Sequence, residues 1–161
     1  IFPGGKWPIK RWVVSGFAKI GDLCYEHYGV QSIILGDEKD KKIMNEVVSM
    51  MKYPPVIINE QLTILQLAAL TAKCKLFITN DTGPMHIAVA MKVPVLAVFG
   101  PTVLEFGFGP IGQKDKIVFA KVPCSPCVLH GGKQCLIKSH ICMKSINPEN
   151  LFKIIESMDV L

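Results

Sequence analysis

Short apolar runs alternate with stretches of helical period along this chain, and that alternation restricts the fold more than any other feature. The runs occupy residues 30–35, 56–58, 76–78 and 95–99, with a weaker one at 117–119. Residues 11–28 place Trp12, Val13, Phe17, Ile20, Leu23 and Cys24 close to a 3.6-residue period and stop at Gly29. Further helical stretches pass through Ile43, Val47, Met50 and Met51, then over 63–73 and 84–92. Strands joined by such helices form parallel βαβ units. The runs are solid instead of alternating, as in a parallel sheet with helices on both faces. The expected fold class is therefore α/β.

Beyond Gly100 the pattern loosens into a Gly- and Pro-containing loop to Lys116, followed by the weak strand and a cysteine-rich loop at about 121–145. A final helix is expected from Asn147 as N-cap, with Pro148 in the first helical position and Glu149 in the first turn. The 161 residues, half of them hydrophobic, suffice for one compact domain. The opening Ile1-Phe2-Pro3-Gly4-Gly5 reads as a strand tail entering a turn, so the chain is expected to be a fragment. No apolar run approaches the ~20 residues that span a bilayer, which predicts a cytoplasmic chain. The formal charge of +5 is scattered, with no aromatic-laced basic stripe. Anionic small molecules or a lipid surface fit that distribution better than nucleic acid.

In open α/β sheets ligands bind beyond the carboxyl ends of the strands, so the residues at those ends are the place to look for chemistry. Here they are Pro3-Gly4-Gly5 with Lys10 soon after, Gly36-Asp37-Glu38, Thr79-Asn80-Asp81-Thr82-Gly83, and Gly100-Pro101-Thr102. The turn at Asn80-Asp81-Thr82-Gly83-Pro84-Met85-His86 leaves a strand and opens a helix. With Thr82 as N-cap, the helix's first amides and its dipole suit an anion, and Gly83 lets that anion approach the backbone. Helical side chains lean toward the N-terminus, so His86 reaches the same mouth. The combination suits a diphosphate. The same residues also suit a plain helix cap beside a satisfied histidine.

Asp81-Thr82-Gly83-x-x-His86, followed by Ala88, Ala90, Pro94 and Phe99-Gly100-Pro101-Thr102, resembles the signature of glycosyltransferase family 9, the ADP-heptose:lipopolysaccharide heptosyltransferases. Lys10-Arg11-Trp12 after Pro3-Gly4-Gly5 adds to the resemblance, as do Cys124-Ser125-Pro126-Cys127 and Cys142-Met143 leading into Ile146-Asn147-Pro148-Glu149. The resemblance implies the C-terminal, Rossmann-like half of a two-domain GT-B enzyme, with the N-terminal acceptor domain absent. It implies that Gly4, Gly5, Lys10, Glu38, Leu62, Asp81, Thr82, Gly83, His86 and Thr102 surround an ADP-heptose donor. Lys10 would stabilise the leaving diphosphate, Asp81 would hold sugar hydroxyls, and Thr82, Gly83 and His86 would grip phosphate oxygens. Glu38 would reach the ribose and Leu62 the adenine. The acceptor would be a lipid-anchored saccharide at the cytoplasmic face of the inner membrane, and the general base would lie in the missing domain.

No cofactor is expected, since a helix N-terminus and a lysine can stabilise a leaving diphosphate and the sequence contains no Asp-x-Asp pair to hold Mg²⁺. Cys124-x-x-Cys127 has metal-knuckle spacing, and Cys135 and Cys142, with His130 and His140 as substitutes, could complete a zinc site. Reduced thiols packing a loop, or a disulfide formed on oxidation, are the other readings. Two further functions fit these residues: another GT-B enzyme using a UDP-sugar, a transferase or epimerase, and a non-enzymatic zinc or thiol interaction module.

Overall fold

The computed structural model describes residues 1–102 and 108–161. Its strands are β1 (Ile33–Ile34), β2 (Val56–Ile57), β3 (Phe77–Asn80), β4 (Val95–Phe99) and β5 (Lys116–Phe119). Its helices are α1 (Val14–Tyr28), α2 (Lys41–Met50), α3 (Ile64–Thr71), α4 (Gly83–Ala90), α5 (Ile141–Lys144) and α6 (Pro148–Met158). β1 pairs with β2, β3 with β4, and β4 with β5, all parallel. The first two residues join these ladders. Leu35 donates its N–H to the Ile1 carbonyl at 2.9 Å, and Phe2 donates to the Ile78 carbonyl at 2.9 Å. Across the sheet the order is β2, β1, residues 1–2, β3, β4, β5, which is the Rossmann order 3-2-1-4-5-6. The winding reverses between residues 1–2 and β3, and that reversal marks where a ligand crevice opens.

β3 and β4 are buried along their whole length. Their side chains divide by the two-residue period between the two faces. Leu96 and Val98 join Trp12, Phe17, Ile20, Met44, Leu151 and Ile155 on one face. Val95, Ala97 and Phe99 join Phe2, Leu35, Phe77 and Met85 on the other. Helices α1, α2 and α6 pack together, as do α3 and α4. Trp12, 1% exposed, meets Phe17 edge-on at 5.1 Å and donates its indole N–H to the Ile146 carbonyl at 3.2 Å.

Several ends fall where the sequence puts them. α1 stops at Gly29 in the left-handed conformation, φ 65°, and the Asn147 side chain caps α6 by accepting from Asn150 N–H at 2.9 Å. Other bounds differ. Residues 30–35 give a ladder of only Ile33–Ile34, because Val56 and Ile58 donate to the Ser32 and Ile34 carbonyls and the next donor in that alternation, Pro54, has no N–H to offer. α1 starts at Val14 because Pro8–Lys10 form a separate 3-10 turn that ends on an extended Arg11. A second 3-10 turn, Glu38–Asp40, and the short α5 are additional. Of the loop expected from Gly100 to Lys116, residues 103–107 lie outside the described residues. Among the described residues no helix is long and apolar enough to cross a membrane.

Candidate functional site

At the carboxyl edge of the sheet, over the point where the winding reverses, lies a cavity of about 550 Å³. Its floor is the loop that follows Phe2. There Gly5 has φ +135°, and a Cβ on it would stand 2.7 Å from the Thr82 methyl, while one on Gly4 would stand 2.1 Å from the Asp40 carboxyl. The two glycines let Asp40 and Thr82 come up against the backbone. Gly5 donates its N–H to Asp40 Oδ1 at 3.2 Å, and its carbonyl accepts from Arg11 Nε and Nη2 at 2.9 and 2.6 Å. On the other side, Asn80 donates its amide to the Pro3 and Gly4 carbonyls at 2.8 and 3.0 Å. The backbone of this loop is therefore bonded within the protein.

The turn from β3 into α4 forms the middle of the site. Thr82 occupies the N-cap position in extended conformation, but its hydroxyl pairs with Thr79 Oγ1 at 3.1 Å and makes no cap bond. Pro84 carries no N–H and Met85 donates its own to the Thr82 carbonyl at 3.2 Å, so the Gly83 N–H is the opening amide of α4 left to meet an anion. Gly83 and His86 are exposed there and line the cavity. Lys10 Nζ lies 2.5 Å from Asp81 Oδ2, and Thr102 donates its hydroxyl to the same oxygen at 2.9 Å. The Lys10 and Asp81 side chains are 13% and 9% exposed, so this pair is shielded but reachable from the cavity.

The flanks differ in character. Leu35, Ile58, Leu62 and Leu67 make an aliphatic wall after β1 and β2, and Trp7, Phe108, Leu129 and His130 make the opposite one. Gly5, Lys10, Leu62, Asp81, Thr82, Gly83, His86 and Thr102 share the cavity, with Gly4 buried beneath it. Glu38 does not line it. Its carboxylate, 63% exposed, pairs with Lys41 at 2.7 Å on the outer surface. Asp37 and Asp40 line the cavity instead. Asp37 Oδ1 accepts the N–H groups of Lys39 and Asp40 at 2.8 and 3.2 Å, capping the turn and turning Glu38 outward. Burial pushes the Asp40 carboxyl above its ordinary pKa, opposed by its bond from the Gly5 amide. Arg11 and Asn80 lie within motifs the sequence offers but carry no role there, and Asp40 lies in none of those motifs. The capping-box spacing Asp37-x-x-Asp40 was the one signal available for Asp40.

The cysteine loop lies beside this site. Cys124, Cys127, Cys135 and Cys142 line a separate cavity of about 130 Å³ with His140, Ile9 and Pro101, and all four thiols are free. Among the described residues no three His, Cys, Asp or Glu side chains are grouped to hold a metal ion. The His140 ring donates to the Ile9 carbonyl at 2.7 Å, while His130 faces the larger cavity. Backbone N–H groups aimed at Cys135, first that of His140 at 3.4 Å, lower its pKa; burial raises those of Cys127 and Cys142. The loop hangs from the end of β4. Cys127 and Val128 donate to the Pro101 carbonyl at 2.9 and 3.1 Å, and Ser125 donates to that of Gly100 at 2.5 Å.

A family model described as glycosyltransferase family 9 (heptosyltransferase) matches residues 1–138. The chain is 34% identical to a Campylobacter jejuni protein named lipooligosaccharide heptosyltransferase 2, over 97% of this chain and 49% of that one. Among solved structures it resembles E. coli ADP-heptose lps heptosyltransferase II, with a TM-score of 0.80 at 23% identity, over 98% of this chain and 44% of that one. It also resembles a glycosyl transferase family 9 protein from Veillonella parvula, with a TM-score of 0.78 at 26% identity, over 98% and 44%. The chain spans about half the length of the relatives it matches.

Proposed function

The chain belongs to glycosyltransferase family 9, and from that premise we propose that it is the donor-binding half of an enzyme that transfers heptose from ADP-heptose to the inner core of lipopolysaccharide. The observation that carries this reading is the cluster of Lys10, Asp81 and Thr102 facing Gly83 and His86 across one cavity. Departure of a nucleoside diphosphate leaves negative charge on its terminal phosphate, and prepositioned donors lower the barrier most where charge develops. Here those donors are the Gly83 amide at the start of α4, the His86 ring and the Lys10 ammonium. As phosphate arrives, Lys10 shares its charge between it and Asp81, whose carboxylate then holds sugar hydroxyls with Thr102 alongside.

Leu62 and its aliphatic neighbours receive the adenine. The ribose meets Asp37, whose second carboxylate oxygen is left for it, in place of Glu38, which stays with Lys41. This chemistry is metal-independent. The other half of the enzyme supplies the general base and the site for a lipid-anchored saccharide, at the cytoplasmic face of the inner membrane.

Calorimetric titration of the chain with ADP and UDP tests the reading. ADP binds at least about tenfold more tightly than UDP, a difference of about 1.4 kcal/mol. Equal or tighter binding of UDP moves the assignment to another sugar-nucleotide enzyme, and binding of neither removes the donor site. The isolated chain binds donor without turnover, so heptose transfer by it alone would overturn the division of labour between the halves.

A further inference from the structure

Asn80 is wholly buried at the end of β3, where its backbone already pairs with Val98. The sheet does not need its side chain. A buried amide is costly unless its polar atoms are used, and this one uses both ends. Its Oδ1 accepts the Trp12 N–H at 2.8 Å, and its Nδ2 donates to the Pro3 and Gly4 carbonyls. Trp12 follows Lys10 by two residues and Asp81 follows Asn80 directly, so one side chain braces the backbone on both sides of the Lys10–Asp81 pair.

We propose that Asn80 is a positioning residue for Lys10: by bonding the Trp12 amide and the Pro3 and Gly4 carbonyls it fixes the 3-10 turn that carries Lys10, so that the ammonium stands at Asp81 where the leaving diphosphate gathers charge. The proposal rests on the cavity being a donor site. The amide chemistry is specific. An aspartate would turn a carboxylate oxygen toward two carbonyls, and a leucine would leave all three partners unmet.

A double-mutant cycle read by ADP titration of this chain tests it. Lys10→Met weakens binding about 10- to 100-fold, the range expected for a lost charge-assisted hydrogen bond. Asn80→Ser alone weakens it about tenfold. Because Asn80 acts through Lys10, the double variant binds within about twofold of Lys10→Met alone. Two effects that multiply overturn the proposal, since a purely structural Asn80 would add its cost whatever stands at position 10. If Asn80→Ser does not fold, Asn80→Gln, which keeps the amide but carries it one methylene too far for the same three partners, carries the same cycle with the same two outcomes. Failure of the unaltered chain to bind any nucleotide removes the donor site itself. Binding by the unaltered chain with an additive cycle removes only the role given to Asn80.

Discussion

The floor of the large cavity and the cysteine loop beside it hang from the same edge of the sheet, yet they are held in opposite ways. In the floor, buried polar groups are bonded between segments far apart in the chain, Asn80 to Pro3, Gly4 and Trp12, Asp40 to Gly5, and Arg11 to Asp40, with the bond from Arg11 to Gly5 the short-range exception. The cysteine loop is tied to the rest of the chain at Gly100, Pro101 and Ile9. Within it, though, the bonds are local, such as His140 N–H to Cys135 Sγ and Lys138 N–H to the Cys135 carbonyl, and the space between is lined by thiols and aliphatic groups. Cross-chain bonds spend folding energy on fixing charges before a substrate arrives, which is what electrostatic stabilisation needs. Local ones shape a cover while leaving its reactive groups free.

If the floor is the rigid member, crowding it has the largest effect. Gly4→Ala presses a methyl into the Asp40 carboxyl and lowers unfolding free energy by about 1–3 kcal/mol, measured by urea denaturation. His86→Ala comes next: it weakens ADP binding about tenfold while the unfolding midpoint stays put, because the ring is exposed on the rim. A shifted midpoint would mean that His86 belongs to the scaffold. Thr102→Val removes one bond to Asp81 and weakens ADP binding roughly threefold. Replacing Cys124 and Cys127 together by serine changes ADP affinity by less than about twofold, and the purified chain carries less than about half an equivalent of zinc. A full equivalent, with unfolding on chelation, would invert the contrast by making the loop the rigid member.

The smallest effect is in reactivity. A lowered pKa leaves more thiolate as pH falls, so Cys135 is alkylated first near neutral pH, and Cys127 and Cys142 follow only as pH rises. Mass spectrometry after brief labelling across a pH series reads that order.

Most of the layered fold was legible because its signals are local. The run at 95–99 is β4 to the residue, Gly29 stops α1, and Asn147 caps α6. The turn from Asn80 to His86 was legible for the same reason: a strand end, a cap position and one helical turn lie within seven residues. What escaped depends on partners distant in the chain. Nothing near Asn80 reveals that Pro3 and Trp12 will meet it, and nothing near Arg11 reveals the Asp40 carboxylate. Glu38 illustrates a different limit. Five acidic residues or lysines in a row, Asp37 to Lys41, look alike by position, and only the cap made by Asp37 decides which carboxylates face inward.

Because residues 1–2 lie mid-sheet, the cavity's two flanks come from stretches of chain on either side of that seam, Ile58 and Leu62 on one and Thr102 and Leu129 on the other. Those stretches share no backbone, so a lineage can remodel one without disturbing the other. With the nucleotide-sugar donor proposed above, taste for a base and taste for a sugar would be free to drift separately, and a hybrid recombined between α3 and β3 would inherit each from a different parent.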